Sequence, residues 1–171
     1  TNTPTPLPTN TPMPTATPTP LPSATPVPVA GNGLLGSYFA NRYLSGSPTF
    51  IRTDPFVNFN WSSGSPASTI PSNNFSIRWT GYVVPKYTQT YTFYTLSDDG
   101  VRLWVNGVQL VNNWTNHGST ENKGTIALTA GKKYSIKMEY YENAGKSIAG
   151  LFWSSASQAK QVVPQAQLFK N

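Results

Sequence analysis

Two adjacent aspartates, Asp98 and Asp99, stand out as residues that could do chemistry. The chain has only six acidic residues among 171, and these two stand side by side before Gly100. Neighbouring carboxylates repel each other unless a cation or hydrogen-bond donors neutralise them. Calcium takes about six to eight oxygen ligands, often carboxylates and backbone carbonyls of loops. The pair therefore indicates either half of a calcium site or an ordinary Ser-Asp-Asp-Gly turn in which an aspartate caps backbone amides.

Hydrolytic catalysis is not favoured by these residues. A glycosidase needs two carboxyl groups that face each other across a cleft, whereas neighbours on an extended chain point to opposite faces. The single His117 lies in the polar segment 112–118, where a hydrogen-bonded structural role is the more common one. The absence of cysteine excludes a disulfide scaffold, a thiolate zinc site and a cysteine nucleophile. We therefore expect a protein that is not an enzyme.

The charge is basic but dispersed. Lys and Arg number 12 against 6 acids, which gives a net charge of +6 and a pI near 9.6. Only Lys132 and Lys133 are adjacent, and they follow a predicted turn at Ala130-Gly131. We expect no nucleic-acid partner, while weak attraction to anionic surfaces or cell-wall polymers stays open. No apolar run approaches the roughly 20 residues of a membrane span, so membrane insertion is not expected.

Aromatic residues are numerous, with five tryptophans and nine tyrosines. Aromatic side chains at alternating strand positions bury large areas, so most of them are expected in the core. Trp114 differs because it lies in the polar segment 112–118. We therefore take it as the candidate for an exposed platform that stacks on a sugar face, with structural packing as the alternative.

The elements that must position these residues are strands. Apolar and polar residues alternate in 134–140 and again in 101–105, the period of a half-buried strand. Asn106-Gly107 supplies the two positive φ angles of a type I′ turn, which predicts a tight hairpin of 101–105 with 108–112. Further strands are predicted over 74–84, 88–96, 124–129 and 147–153. Many short strands and no helix of three turns predict a β-sandwich or barrel.

The first 30 residues have a different composition. They contain ten of the 16 prolines, and no charged residue precedes Arg42. Proline at every second or third position predicts an extended polyproline II rod, so 1–30 is interpreted as a stalk or linker and 31–171 as one domain. Because the chain begins at threonine, we expect either a removed signal peptide or a longer parent. O-glycosylation is typical of such stalks, with candidate sites at Thr3, Thr5, Thr11, Thr17, Thr19 and Thr25.

A series of short motifs runs through 33–169, the whole globular part. In order they are Leu35-Gly-Ser-Tyr-Phe39, Phe75-Ser-Ile-Arg-Trp-Thr-Gly81, Tyr91 to Gly107, Asn113-Trp-Thr-Asn-His-Gly118, Leu128-Thr-Ala-Gly131, Tyr134 to Glu142 and Ala149-Gly-Leu-Phe-Trp153. This combination closely resembles the protective-antigen-fourteen domain, a module named after a fragment of anthrax-toxin protective antigen. The resemblance implies an all-β fold, a sandwich or barrel of about ten mostly antiparallel strands.

The resemblance also implies a site. In family members related to yeast flocculation adhesins, an Asp-Asp pair joined by a cis peptide binds calcium, which in turn binds sugar hydroxyls. Asp98 and Asp99 occupy the matching positions. A second loop of the lectins adds an asparagine side chain and backbone carbonyls, and the matching loop here is 142–148. The implied metal ligands are Asp98, Asp99 and Asn143, and the implied sugar contacts add Trp114 and Lys146.

Together these observations predict a non-catalytic, secreted carbohydrate-binding module of lectin or adhesin type. Calcium is the expected cofactor, and glycans or cell-surface polysaccharide are the expected partners. The alternative is a structural subunit of an extracellular fibre or surface layer, in which the Thr/Pro stalk assembles with other copies of the chain. A third option is an accessory module of a longer enzyme whose catalytic domain lies elsewhere.

Overall fold

A computed structural model describes residues 30–170, and these residues form an all-β domain of two sheets. Residues 1–29 of the predicted stalk, which was placed at 1–30, and its six threonine candidates lie outside the described residues. The twelve strands are Leu34–Phe39 (β1), Phe50–Asp54 (β2), Asn58–Ser62 (β3), Phe75–Val83 (β4), Gln89–Asp98 (β5), Val101–Val105 (β6), Val108–Asn113 (β7), Thr120–Leu128 (β8), Tyr134–Glu142 (β9), Ser147–Ser155 (β10), Gln158–Val162 (β11) and Leu168–Phe169 (β12).

The strands pair antiparallel in both sheets. A seven-stranded sheet has the order β2-β1-β4-β9-β6-β7, with β12 also paired to β4. A five-stranded sheet has the order β11-β10-β5-β8, with β3 also paired to β10. Strands that follow each other along the chain therefore often belong to different sheets, and β5 and β6 meet only through the short link at Asp99 and Gly100. This link brings the aspartate pair to one end of the sandwich.

The all-β prediction is confirmed, and most of the predicted strands are present. The predicted hairpin forms between β6 and β7, and both turn residues have positive φ, 52° at Asn106 and 76° at Gly107. The predicted strand at 124–129 begins earlier, at Thr120. Its first residues are polar and are held by pairing with β5 rather than by an apolar face. The alternation of apolar and polar residues therefore did not predict them as part of the strand. Twelve strands form where about ten were expected.

The core lies between the two sheets and is built from alternate positions of their central strands. Trp79 and Met138 from the first sheet and Phe93 and Trp153 from the second have no exposed surface. Such burial of large side chains supplies most of the stabilisation of a domain of this size. Within residues 30–170, no helix has the length and apolar character needed to cross a bilayer.

Candidate metal centre

The aspartate pair lies where the chain crosses from one sheet to the other. Asp98 is the last residue of β5, and Asp99 and Gly100 connect it to β6. The Asp98–Asp99 peptide bond is cis, as the resemblance implied. A Cβ on Gly100 would approach the Tyr141 ring to 2.1 Å, so a glycine is required at this position. The Asp-Asp-Gly motif thus has a packing reason as well as a chemical one.

A third carboxylate joins the pair. Glu142 is the last residue of β9, and oxygens of Asp98, Asp99 and Glu142 lie within 4.8 Å of one another. Both Asp99 and Glu142 are buried, with 5% and 0% of their surfaces exposed, while Asp98 is half-buried. Three acidic groups at this separation repel one another strongly if all are ionised without a counter-charge.

Backbone donors fix Asp99. Its Oδ1 accepts the backbone N–H of His117 at 2.8 Å, and its Oδ2 accepts the backbone N–H of Asn143 at 2.8 Å. The two bonds tie the 112–118 loop and the 142–148 loop to one carboxylate. Each carboxylate oxygen retains a further lone pair, so Asp99 can bind a cation while it holds both loops in place.

Glu142 is less well satisfied. The Tyr140 hydroxyl donates to the Asp98 carbonyl at 2.5 Å and lies 3.3 Å from Oε2 of Glu142. Because a phenol hydroxyl has one hydrogen to donate, and the Asp98 carbonyl makes the shorter contact, Glu142 receives at most a weak hydrogen bond from Tyr140. Oε1 of Glu142 is buried without any hydrogen-bond partner. An ionised carboxylate in this position lacks the compensation that buried charges ordinarily have.

The electrostatics reflect this lack of compensation. Burial, and then the charges of Asp99 and Asp98, raise the pKa of Glu142 to about 7. Burial and Asp99 also raise the pKa of Asp98, although His117 and Lys146 act in the opposite direction. With raised pKa values, proton uptake by Glu142 and Asp98 would relieve part of the repulsion. A bound cation would relieve it without protonation.

The remaining acids of the chain are paired. Asp54 forms an ion pair with Arg52, Glu139 with Arg78 and Arg102, and Glu121 with Lys160. Across residues 30–170, Asp98, Asp99 and Glu142 are the acids that form no ion pair within 4.0 Å. A set of carboxylate oxygens with an unpartnered buried oxygen suits a hard cation such as calcium, which prefers oxygen ligands.

The other predicted site residues lie around this cluster. The side-chain oxygen of Asn143 accepts a hydrogen bond from Arg42, which leaves one lone pair of this oxygen for a metal but brings a positive charge next to it. Lys146 is exposed in the same loop. Trp114 packs edge-on against Tyr141, with ring centres 4.7 Å apart.

Trp114 instead borders a separate depression. The guanidinium of Arg102 lies 3.9 Å from its ring centre. With Arg42, Tyr43, Asn116 and Tyr141, Trp114 lines an open pocket of about 210 Å³. Arg42 connects this pocket to the metal centre through Asn143. The predicted residues are thus distributed over two neighbouring features rather than one.

Glu142 and Arg42 were not predicted as site residues. Glu142 carries a signal in the sequence: it continues the inward series Ile136, Met138, Tyr140 of β9, so it places a carboxylate on the apolar face. Arg42 carries no such signal, because it is 101 residues from Asn143 in the chain and meets it only in the folded domain.

Comparison with known proteins gives related chains. The PA14 domain family model matches residues 31–167. The chain is 49% identical over 139 residues to the anti-sigma-I factor RsgI3 of Acetivibrio thermocellus, covering 81% of this chain and 21% of that protein. A solved anti-sigma factor domain-containing protein superposes with a TM-score of 0.81 at 48% identity, covering 82% of this chain and 48% of that one.

A more distant structure shares the fold. The PA14 sugar-binding domain from an RTX adhesin superposes with a TM-score of 0.68 at 18% identity. The match covers 83% of this chain and 100% of that domain. At that identity the likeness shows the fold alone. The present chain spans about a fifth of the length of the curated relatives that it matches, 21% and 18%.

Proposed function

Because the chain belongs to the PA14 domain family, we propose that its β-domain is a non-catalytic, extracellular carbohydrate-binding module that holds its ligand through calcium. One observation carries the proposal: three carboxylates lie within 4.8 Å of one another, and the buried Oε1 of Glu142 has no partner. The RTX adhesin domain that shares this fold is a sugar-binding PA14 domain, which supports the proposal.

The residues of the site have distinct roles in this proposal. Asp98, Asp99 and Glu142 supply the oxygen ligands for calcium, and the side-chain oxygen of Asn143, which also accepts a hydrogen bond from Arg42, is a further candidate. Bound calcium would share its coordination shell with two neighbouring sugar hydroxyls. Asp99 also fixes the two loops that border the ligand, through the N–H groups of His117 and Asn143. The 112–118 and 142–148 loops would therefore set which sugars fit.

The pocket beside Trp114 extends the proposed sugar contacts. Trp114 is half-buried and offers a flat ring next to the exposed Tyr43. Lys146, exposed on the second loop, would contact an acidic substituent of the ligand. Because the whole site is small and open to solvent, we expect weak binding to a single sugar, with several copies on one surface supplying strength through avidity.

The proposal is tested by glycan-array binding of the purified chain with calcium and with chelator. Asp99→Asn keeps the size of the side chain and removes its charge, so we expect the calcium-dependent signal to be lost. Glu121→Gln is the matched control, because it removes a carboxylate that is exposed and paired with Lys160. Equal signals with and without calcium, or retained binding in Asp99→Asn, would contradict the calcium site.

The relatives favour a particular parent protein. The 49% identity to an anti-sigma-I factor, of which this chain covers 21%, leads us to propose that the domain is the ligand-binding part of a related regulator. Carbohydrate would then be its signal. Reading the gene on both sides of this coding segment tests the idea. A sigma-binding domain in the same frame supports it, and a catalytic domain in the same frame would instead support an enzyme accessory module.

The fibre-subunit alternative depends on the Thr/Pro-rich segment. That segment lies almost entirely outside residues 30–170, so the alternative and the proposed glycosylation of its threonines stay predictions. Mass spectrometry of the chain purified from its source organism would test glycosylation directly. Light scattering of the same material would test self-association.

A further inference from the structure

The outer face of the seven-stranded sheet carries a groove that the metal centre does not use. Antiparallel register places Thr80 of β4 opposite Lys137 of β9, and Lys137 opposite Trp104 of β6. Tyr82 and Ser135 form the next row along the strands. These residues line an open groove of about 530 Å³, here called the Trp104 groove.

Each aromatic ring of the groove has a lysine beside it. The Nζ of Lys137 lies 3.9 Å from the centre of the Trp104 ring. The Nζ of Lys133 lies 5.4 Å from the centre of the Tyr82 ring and 4.9 Å from that of Phe169. Trp104 and Tyr82 are only half-buried. The groove thus presents flat apolar surface next to positive charge at two places, Trp104 with Lys137 and Tyr82 with Lys133.

The charge of this face is unbalanced. The outward positions of β4, β6 and β9 hold three cations, Arg78, Arg102 and Lys137, and one acid, Glu139. Glu139 is 3% exposed, and both arginines bind it, at 2.8 and 2.6 Å. Lys137 Nζ also lies 4.0 Å from Oε1 of Glu139. One carboxylate cannot balance three cations, so the face keeps a net positive charge that can attract an external anion.

We propose that the Trp104 groove binds a linear acidic polysaccharide. Sugar rings pack against the ring surface of Trp104 and Tyr82 that the neighbouring cations leave uncovered, and the carboxylates of uronic acid units pair with Lys137 and Lys133. The hydroxyls of Thr80 and Ser135 on the floor of the groove bond sugar hydroxyls. This site lies apart from the calcium-dependent site and does not rest on it.

The dimensions favour a polymer over a single sugar. Tyr82 and Trp104 stand two residues apart along the strands and two strands apart across the sheet. At the spacings of an antiparallel sheet, their Cα atoms are separated by about 12 Å. That distance exceeds one sugar ring, so a single unit cannot stack on both aromatics. The groove is also open to solvent rather than enclosed, as a continuous chain requires.

The test uses the full chain and polygalacturonate as the probe, in chelator, so that calcium neither bridges the polymer nor supports the other site. Calorimetry should show binding that weakens as salt is added, because exposed charges are screened. Trp104→Ala should weaken binding about tenfold, and Lys137→Gln about two- to fivefold. The fully methyl-esterified polymer has the same backbone without the charges and should bind weakly.

Matched controls make the outcome decisive. Lys160→Gln removes a lysine that packs in the same way on two aromatics of the other sheet, with Nζ 4.4 Å from Tyr94 and 5.7 Å from Phe152. Asp99→Asn should leave polygalacturonate binding intact, which separates this site from the proposed calcium site. Equal losses in Lys160→Gln and Lys137→Gln, equal binding of the esterified polymer, or equal binding of duplex DNA would overturn the proposal.

Discussion

Two of the regions in which this domain buries carboxylates do so in opposite ways. At one region Asp54, which is 2% exposed, accepts hydrogen bonds from the Tyr38 hydroxyl at 2.6 Å and the Trp79 indole at 2.7 Å. Arg52 pairs with its other oxygen at 2.6 Å. Each oxygen therefore has a donor, and the charge has a counter-charge.

The other region gathers more charge with less compensation. Asp98, Asp99 and Glu142 share the space within 4.8 Å, and none has a basic partner within residues 30–170. Asp99 is held by two backbone donors, whereas Oε1 of Glu142 is held by none. At Asp54, a buried acid with a structural role, the fold supplies hydrogen-bond donors and a counter-charge. The cluster of Asp98, Asp99 and Glu142 lacks a counter-charge, and this cluster is the calcium site that we propose.

Removal of the structural acid Asp54 should have the largest effect on the free energy of unfolding. Asp54→Ala leaves the Arg52 charge and two buried donors unpaired, so we expect a loss of about 3–5 kcal/mol in the free energy of unfolding. Urea denaturation in calcium and in chelator should give the same loss. A loss below about 1 kcal/mol, or one that depends on calcium, would remove the distinction between the two regions.

The second test adds the missing counter-charge to the other region. Calcium at a hundredfold excess over its dissociation constant should raise the free energy of unfolding by about 2.7 kcal/mol. Melting temperature measured in calcium and in chelator reports this gain. Asp99→Asn should abolish the difference between the two conditions.

The control for this measurement is Glu121→Gln, which should respond to calcium like the unaltered chain. An identical melt with and without calcium would indicate that the carboxylates are neutralised by protons, and the aspartate pair would then be a structural turn. A calcium effect that survives Asp99→Asn would place the ion elsewhere.

The third test uses pH in the absence of calcium. The pKa of Glu142 is raised from 4.5 to about 7, so the native state binds an extra proton between these values. Stability should therefore fall as pH rises from about 4.5 to about 7, by up to about 3 kcal/mol, and then level off. The raised pKa of Asp98 acts in the same direction. Denaturation across this range should show the slope in chelator, and Glu142→Gln should flatten it.

Much of the fold was predictable because the core strands carry a local signal. The alternation in β6 and β9 and the Asn106-Gly107 turn each specify structure through neighbours in the chain. The short strand β3 was missed because its pairing partner, β10, lies far along the chain. The short strand β2 pairs with the preceding strand β1, but four of its five residues are exposed or half-exposed, so no apolar face marks it in the sequence.

The site was less predictable for a related reason. Asp98 and Asp99 are neighbours in sequence, and their pairing was visible as a pattern. The contact of Arg42 with Asn143 joins residues 101 positions apart, and no local pattern specifies it. Trp114 was correctly placed in a loop, but the arginine that covers its ring comes from the outer face of β6. Periodicity gives the face of a strand, whereas contacts between loops depend on how the sheets pack.

The smallest expected effect concerns an acid that is neither buried nor clustered. Glu121 and Lys160 form an ion pair on the surface of the five-stranded sheet, and both side chains are about 40% exposed, at 42% and 41%. Water and salt already solvate these charges, so Glu121→Gln should change the free energy of unfolding by less than about 0.5 kcal/mol. Urea denaturation at low and high salt measures this directly. A loss comparable to that of Asp54→Ala would mean that burial does not sort the acids of this domain, and the contrast between its paired and clustered carboxylates would lose its physical basis.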